Sequence, residues 1–131
     1  MSINPDKLNA FMGKAVVDIG ATLHAGLVII GEKLGLYKAM AELGPTTATE
    51  LAATTGTDER YVQEWLNAQA AAEYCEYDPA TARYHLDEAQ AICLADESHP
   101  AFVAGGMAVA SSVHKDGDTV VMIGDSITEQ H

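Results

Sequence analysis

A chain of 131 residues suits one domain and is long enough to bury a core, roughly 68–70% of its unfolded surface at this size. Its hydrophobic content of 48% and charged content of 20% are those of an ordinary globular protein. Nineteen acids against seven bases leave a net charge of −12, and the bases are scattered, so the field opposes DNA, RNA and anionic lipid.

The N-terminal MSINPDKLNAFMGK has no basic stretch leading into an apolar one, so no secretory signal is expected. The longest apolar stretch, around AGLVII, falls short of the ~20 residues of a membrane span, and no membrane partner is expected. Cys75 and Cys93 lie far apart without metal-type spacing. In a leaderless chain they are expected to be reduced and structural, which points to the cytoplasm.

Asn4-Pro5-Asp6 is a helix start: a capping Asn, Pro at the first helical position and an acid in the first turn. Apolar residues then recur at helical spacing through Leu8, Phe11, Met12, Ala15, Val16, Ile19, Leu23, Leu27, Ile30 and Leu34. Gly20 is a candidate break into two helices. Val28 and Ile29 lie off the stripe, so this segment is apolar nearly all round. A small domain cannot bury both faces, and a homodimer through Ala15–Leu34 is expected, with a charge at Val28 or Ile29 disrupting it.

LYKAMAEL reads as a short helix stopped at Gly44-Pro45. TTATELAATTG opens with Thr47 and Glu50 at capping-box spacing and closes at Gly56. Thr57-Asp58-Glu59 starts a longer helix with Tyr61, Val62, Trp65, Leu66 and Gln69 on one side. Trp65 and Tyr61 are expected in the core. Tyr74–Tyr77 and Arg83–Leu86 flank the turn Asp78-Pro79-Ala80-Thr81 and read as a hairpin. DEAQAICLAD gives a further short helix, Asp96–Pro100 a loop, and AFVAGGMAVASSVH a helix rich in small residues. The order predicts a mainly α winged helix-turn-helix with long N-terminal dimerisation helices and a small β-hairpin wing. The expected division is a winged-helix dimerisation domain over 1–114 and a tail over 115–131.

The blocks NPDKLNAFMGKAVVDIGATL, GEKLGLYKAMAELGP, TATELAATTGTDERYVQEWLNAQAA, YDPATARYHL and HPAFVAGG resemble the N-terminal region of a bacterial family of class I S-adenosylmethionine-dependent methyltransferases. The resemblance spans about four-fifths of the chain. It implies a region that dimerises and roofs the substrate pocket, while S-adenosylmethionine and methyl transfer belong to a following Rossmann-like domain. The sequence has no Gly-x-Gly-x-Gly-type loop after a strand, so no cofactor-binding residue is expected in this chain.

The tail VVMIGDSITEQH resembles the first block of the SGNH (GDSL-type) hydrolases, in which Gly-Asp-Ser presents a nucleophile. Under that alternative Ser126 is the catalytic residue of a truncated ester hydrolase. A serine nucleophile needs a base and an orienting group, and only Ile127 to His131 follow it. Asp125 reads as a turn residue. The tail also reads as a divergent segment of the methyltransferase family. None of His24, His85, His99, His114 and His131 has an adjacent carboxylate partner that marks it as that base. His24, on the apolar helix, reads as a core or interface residue, or as a pocket-lining residue of a complete methyltransferase. No catalytic residue is therefore assigned.

Cys75, His85, Asp87 and Cys93 match no zinc pattern, and no metal site is expected. A DNA-binding transcriptional regulator is the other alternative. Its reading helix would carry Asp58, Glu59 and Glu64 against Arg60 alone, and its wing only Arg83, so no nucleic-acid partner is expected.

Overall fold

Asn4 begins the first helix by local chemistry: its side-chain oxygen accepts hydrogen bonds from the Asp6 and Lys7 amides at 2.9 and 3.3 Å. From that cap, in the computed structural model, which describes residues 2–106, helix α1 runs unbroken over Pro5–Lys33. The expected break at Gly20 does not occur. One glycine costs a helix interior only about 1 kcal/mol, and its neighbours are otherwise regular helix formers.

Helix α2 (Leu36–Leu43) follows after Gly35 and stops at Gly44, where φ is +72°. Helix α3 (Ala48–Thr55) opens on the predicted capping box. The Thr47 hydroxyl accepts from the Glu50 amide, and the Glu50 carboxylate accepts from the Thr47 amide, both at 3.2 Å. It closes at Gly56 in the left-handed region. Helix α4 (Glu59–Ala71) is capped by Asp58. Strands β1 (Glu76–Asp78) and β2 (Arg83–His85) pair antiparallel, with Tyr77 opposite Tyr84. Helix α5 (Glu88–Ala95) begins on a second capping box, Asp87 with Gln90. The turn of Asp96–Pro100 follows, and a helix has begun by Ala104.

One pairing has no signal in the periodicity. Thr46, between α2 and α3, exchanges two backbone hydrogen bonds of 2.8 Å with Tyr84. This ties the wing to the start of the helix-turn-helix and completes the winged-helix arrangement.

The core gathers Leu36, Tyr37 and Met40 of α2, Leu51 of α3, and Val62, Trp65 and Leu66 of α4. Helix α1 joins it through Val28, which is fully buried, and Gly31. At Gly31 an added Cβ would lie 2.5 Å from Trp65 Cζ2 and 2.6 Å from Tyr37 Cε2. The missing side chain lets the two rings, 5.0 Å apart, press against the helix backbone. The Trp65 indole N–H donates to the Leu27 carbonyl at 2.9 Å. The buried Tyr37 hydroxyl donates to Gln69 Oε1 at 2.6 Å.

Two expectations reverse here. Tyr61 is not in the core; it is 73% exposed, while Trp65 is buried as expected. Val28 is not free for a partner, since it belongs to the domain's own core; Ile29 beside it is half-buried. Ser126, Asp125, His114 and His131 lie outside the described residues, as does most of the expected small-residue helix.

Candidate functional site

A helix bound to its domain at one end leaves the rest of its length free. Val28 and Gly31 hold α1 in the core with Leu27 packed against it, and most of the stripe faces outward. Leu8, Phe11, Met12, Val16, Ile19, Leu23 and Ile30 are each at least 45% exposed, with Leu23 at 71%; Val17 is also exposed but lies on the other side of the helix. Single exposed apolar residues are ordinary, but a contiguous face of this length marks an interaction surface. The charges on α1 are Asp6, Asp18 and Glu32 against Lys7, Lys14 and Lys33, so the helix is neutral. The whole −12 therefore resides elsewhere in the chain.

On the side of α1 turned toward the domain, α1 and the segment after α4 enclose a shallow groove of about 530 Å³, lined by Val17, Gly20, Ala21, His24, Ala72 and Tyr74. The His24 ring meets Tyr74 edge-on, with centroids 4.3 Å apart. Its Nε2 is buried without a hydrogen-bond partner among the described residues. Burial lowers the His24 pKa below the ordinary histidine value. His24 is thus half-buried between α1 and the segment after α4, on the domain-facing side of the helix.

The face that reads DNA in a winged helix is built differently. Asp58, Glu59, Arg60 and Glu64 are exposed along α4. The Asp58 carboxylate already caps the α4 amides of Arg60 and Tyr61, where a phosphate would otherwise sit. Gln63 and Asn67 are taken up by the wing: Gln63 donates to the Tyr84 hydroxyl at 2.9 Å, and that hydroxyl donates to Asn67 at 2.7 Å. Arg83 pairs with Glu50 at 2.6 Å, and this contact raises the arginine pKa and lowers that of the carboxyl. The wing's one base thus faces an acid of its own domain.

Residues 22–96, more than half the chain, match the family model described as the Rv2258c-like winged HTH domain. The chain belongs to this family. The match covers α2 to α5 and the wing of the winged HTH domain, and begins near the middle of α1, so much of the exposed stripe precedes it. Among solved structures, the fold is similar to PigF solved with SAH, at 19% identity, TM-score 0.61, over 86% of this chain and 30% of that one. It is also similar to the mitomycin 7-O-methyltransferase MmcR, at 22% identity, TM-score 0.61, over 87% of this chain and 37% of that one. A third is CalO1, a methyltransferase in calicheamicin biosynthesis in its SAH-bound form, at 21% identity, TM-score 0.57, over 82% and 29%. The chain therefore spans about a third of the length of these neighbours. No curated protein matches it by sequence.

Cys75 and Cys93 are both free, and burial pushes the Cys75 thiol up to about 12, a structural rather than reactive state. Among the described residues no group of three or more His, Cys, Asp and Glu is arranged to hold a metal ion, and Cys75, His85, Asp87 and Cys93 form no such group.

Proposed function

We propose that this chain is a dimerisation and substrate-lid module of an S-adenosylmethionine-dependent methyltransferase, working in the cytoplasm and carrying no catalytic residue of its own. The observation that carries the reading is the neutral apolar face of α1, left uncovered by a winged helix whose DNA-reading helix is acidic. Seven large apolar side chains at roughly 100 Å² each present about 700 Å², close to the per-partner area of a standard stable interface. In a protein of charge −12, a neutral helix is also where a second copy meets least repulsion. A homodimer through α1, centred on the Ala15–Leu34 region and extended to Leu8, follows.

The fold neighbours support the methyltransferase assignment: two are methyltransferases and two hold SAH. S-adenosylmethionine itself does not fit the described residues. Its binding calls for a Gly-rich loop after a strand of a parallel sheet, and the sheet here is the two-stranded antiparallel wing. No step is routed through it. The division at 114/115, with 115–131 a tail, belongs to the same proposal.

By length and composition α1 could cross a membrane, with a hydropathy of 1.5 over its most apolar window. Two features favour a protein partner over lipid. Val28 and Gly31 are committed to the core, and Lys14 pairs with Asp18 halfway along the rest of the helix. An ion pair at that depth is costly in hydrocarbon.

The functional test is calorimetric titration of S-adenosylmethionine, together with p-nitrophenyl acetate turnover by the wild type and Ser126→Ala. No binding heat and equal background rates are expected. A Ser126-dependent rate well above that of free imidazole would transfer the function to the tail, since a triad supplies its rate as a unit.

A further inference from the structure

We propose that the two α1 helices of the dimer run antiparallel and cross at Ile19, with Met12 of each copy seated over Gly26 of the other. The inference rests on the homodimer reading above and adds the direction and register of the pairing. An isologous interface uses one patch twice, so the twofold axis passes through the middle of that patch. The exposed stripe runs from Leu8 to Ile30, and Ile19 is its midpoint along the chain. At about 100° per residue, Ile19 is also its centre around the helix.

From Leu8 to Ile30 the positions within about 40° of Ile19 follow one another at intervals of 4, 3, 4, 4, 3 and 4 residues. That series reads the same in both directions from Ile19. An antiparallel copy therefore brings Leu8 opposite Ile30, Met12 opposite Gly26 and Ala15 opposite Leu23. Each small residue of the seam faces a large one, as interdigitating helices require. Gly26 is exposed, and a Cβ added there would meet nothing within 4 Å, so its own domain leaves room for the Met12 side chain. An unbranched thioether is suited to fill such a gap. A parallel pair instead matches each residue with itself, and Gly26 against Gly26 and Ala15 against Ala15 leave voids.

Charge selects the same direction. Val28 and Gly31 join α1 to its domain near the C-terminal end of the helix, and the chain outside α1 carries the −12. A parallel pair sets two acidic domains side by side and Lys33 against Lys33. In an antiparallel pair the two attachment points lie about 30 Å apart along the helices at 1.5 Å per residue, well beyond a Debye length of about 8 Å. Asp6, Lys7, Lys14, Asp18 and Glu32 all fall about 100° or more from Ile19 around the helix, outside the seam.

Cysteine cross-linking of the full chain under a mild oxidant reads the register, with wild type setting the background from its own free thiols. Ile19→Cys is expected to form a covalent dimer with itself. Ala15→Cys and Leu23→Cys, whose like residues lie about 12 Å apart along the seam, are each expected to stay single alone and to cross-link when mixed and allowed to exchange. Gly26→Leu tests the seat by sedimentation velocity. It favours the helix at a site open on its own domain, yet should raise the dimer Kd by more than about tenfold, and Met12→Ala in the same chain should recover most of that loss. Self-cross-linking of Ala15→Cys or Leu23→Cys, no cross-link at Ile19→Cys, or a Gly26→Leu dimer as tight as wild type would overturn the antiparallel register and leave the homodimer in place. A wild type that sediments as a monomer at micromolar concentration would instead overturn the homodimer reading itself.

Discussion

Gly31 is the residue on which the placement of α1 most depends. Its hydrogen faces Trp65 and Tyr37 at distances no Cβ can occupy, and neither ring is a flexible chain end that can swing aside. Both are buried, and Trp65 is held by its hydrogen bond to Leu27. Gly31→Ala improves intrinsic helix propensity by about 1 kcal/mol, yet overpacking costs about 1–3 kcal/mol. A net loss is expected, read as a lowered midpoint in thermal or urea unfolding. A midpoint equal to or above wild type would mean that the rings can shift and that the close approach is not what seats α1.

Element by element, the ends of the helices were legible in the residues because capping is local chemistry. Asn4, Thr47 with Glu50, Asp58 and the stops at Gly44 and Gly56 all act within a turn of where they stand. Replacing Thr47 by Ala should cost about 1 kcal/mol, measurable by urea unfolding; no loss would mean that the Thr46–Tyr84 pairing alone holds the start of α3. What the residues did not reveal depends on distant parts of the chain. Periodicity located the apolar stripe on α1 but could not say which side the domain takes. The contact with the domain uses Val28, Gly31 and part of Leu27 rather than the long stripe. Tyr61 fits the helical spacing of the α4 core yet lies outside it, and the Thr46–Tyr84 bridge is too short to leave a pattern. The consequence is a paired experiment on one helix. Val28→Asp buries an unpaired charge, should cost more than about 3 kcal/mol, and should unfold the monomer. Leu23→Asp should leave the melting midpoint near wild type while lowering the solution mass. If Leu23→Asp unfolds the protein and Val28→Asp does not, the two faces of α1 have been assigned the wrong way round.

At the scale of the whole molecule, charge decides between two uses of one fold. A winged helix can carry a reading helix into the major groove, but affinity there comes largely from bases meeting phosphates. This domain presents Asp58, Glu59 and Glu64 on that face, uses Gln63 and Asn67 to hold the wing, and pairs Arg83 internally. Gel shifts with random duplex at low salt should show no complex at micromolar protein. A salt-sensitive complex in that range, which even non-specific binders reach, would favour the regulator.

The candidate site was half legible: an apolar excess on α1 showed in the residues, while the position of its free face and the groove at His24 emerged only once the core was placed. The central claim is that this free face is covered by a second copy of the chain. Light scattering coupled to size exclusion at pH 7.5 and micromolar concentration tests it most directly. The account predicts a mass twice that of the chain for wild type and a single chain mass for Leu23→Asp with its helix signal intact. A wild-type peak at one chain mass would contradict it.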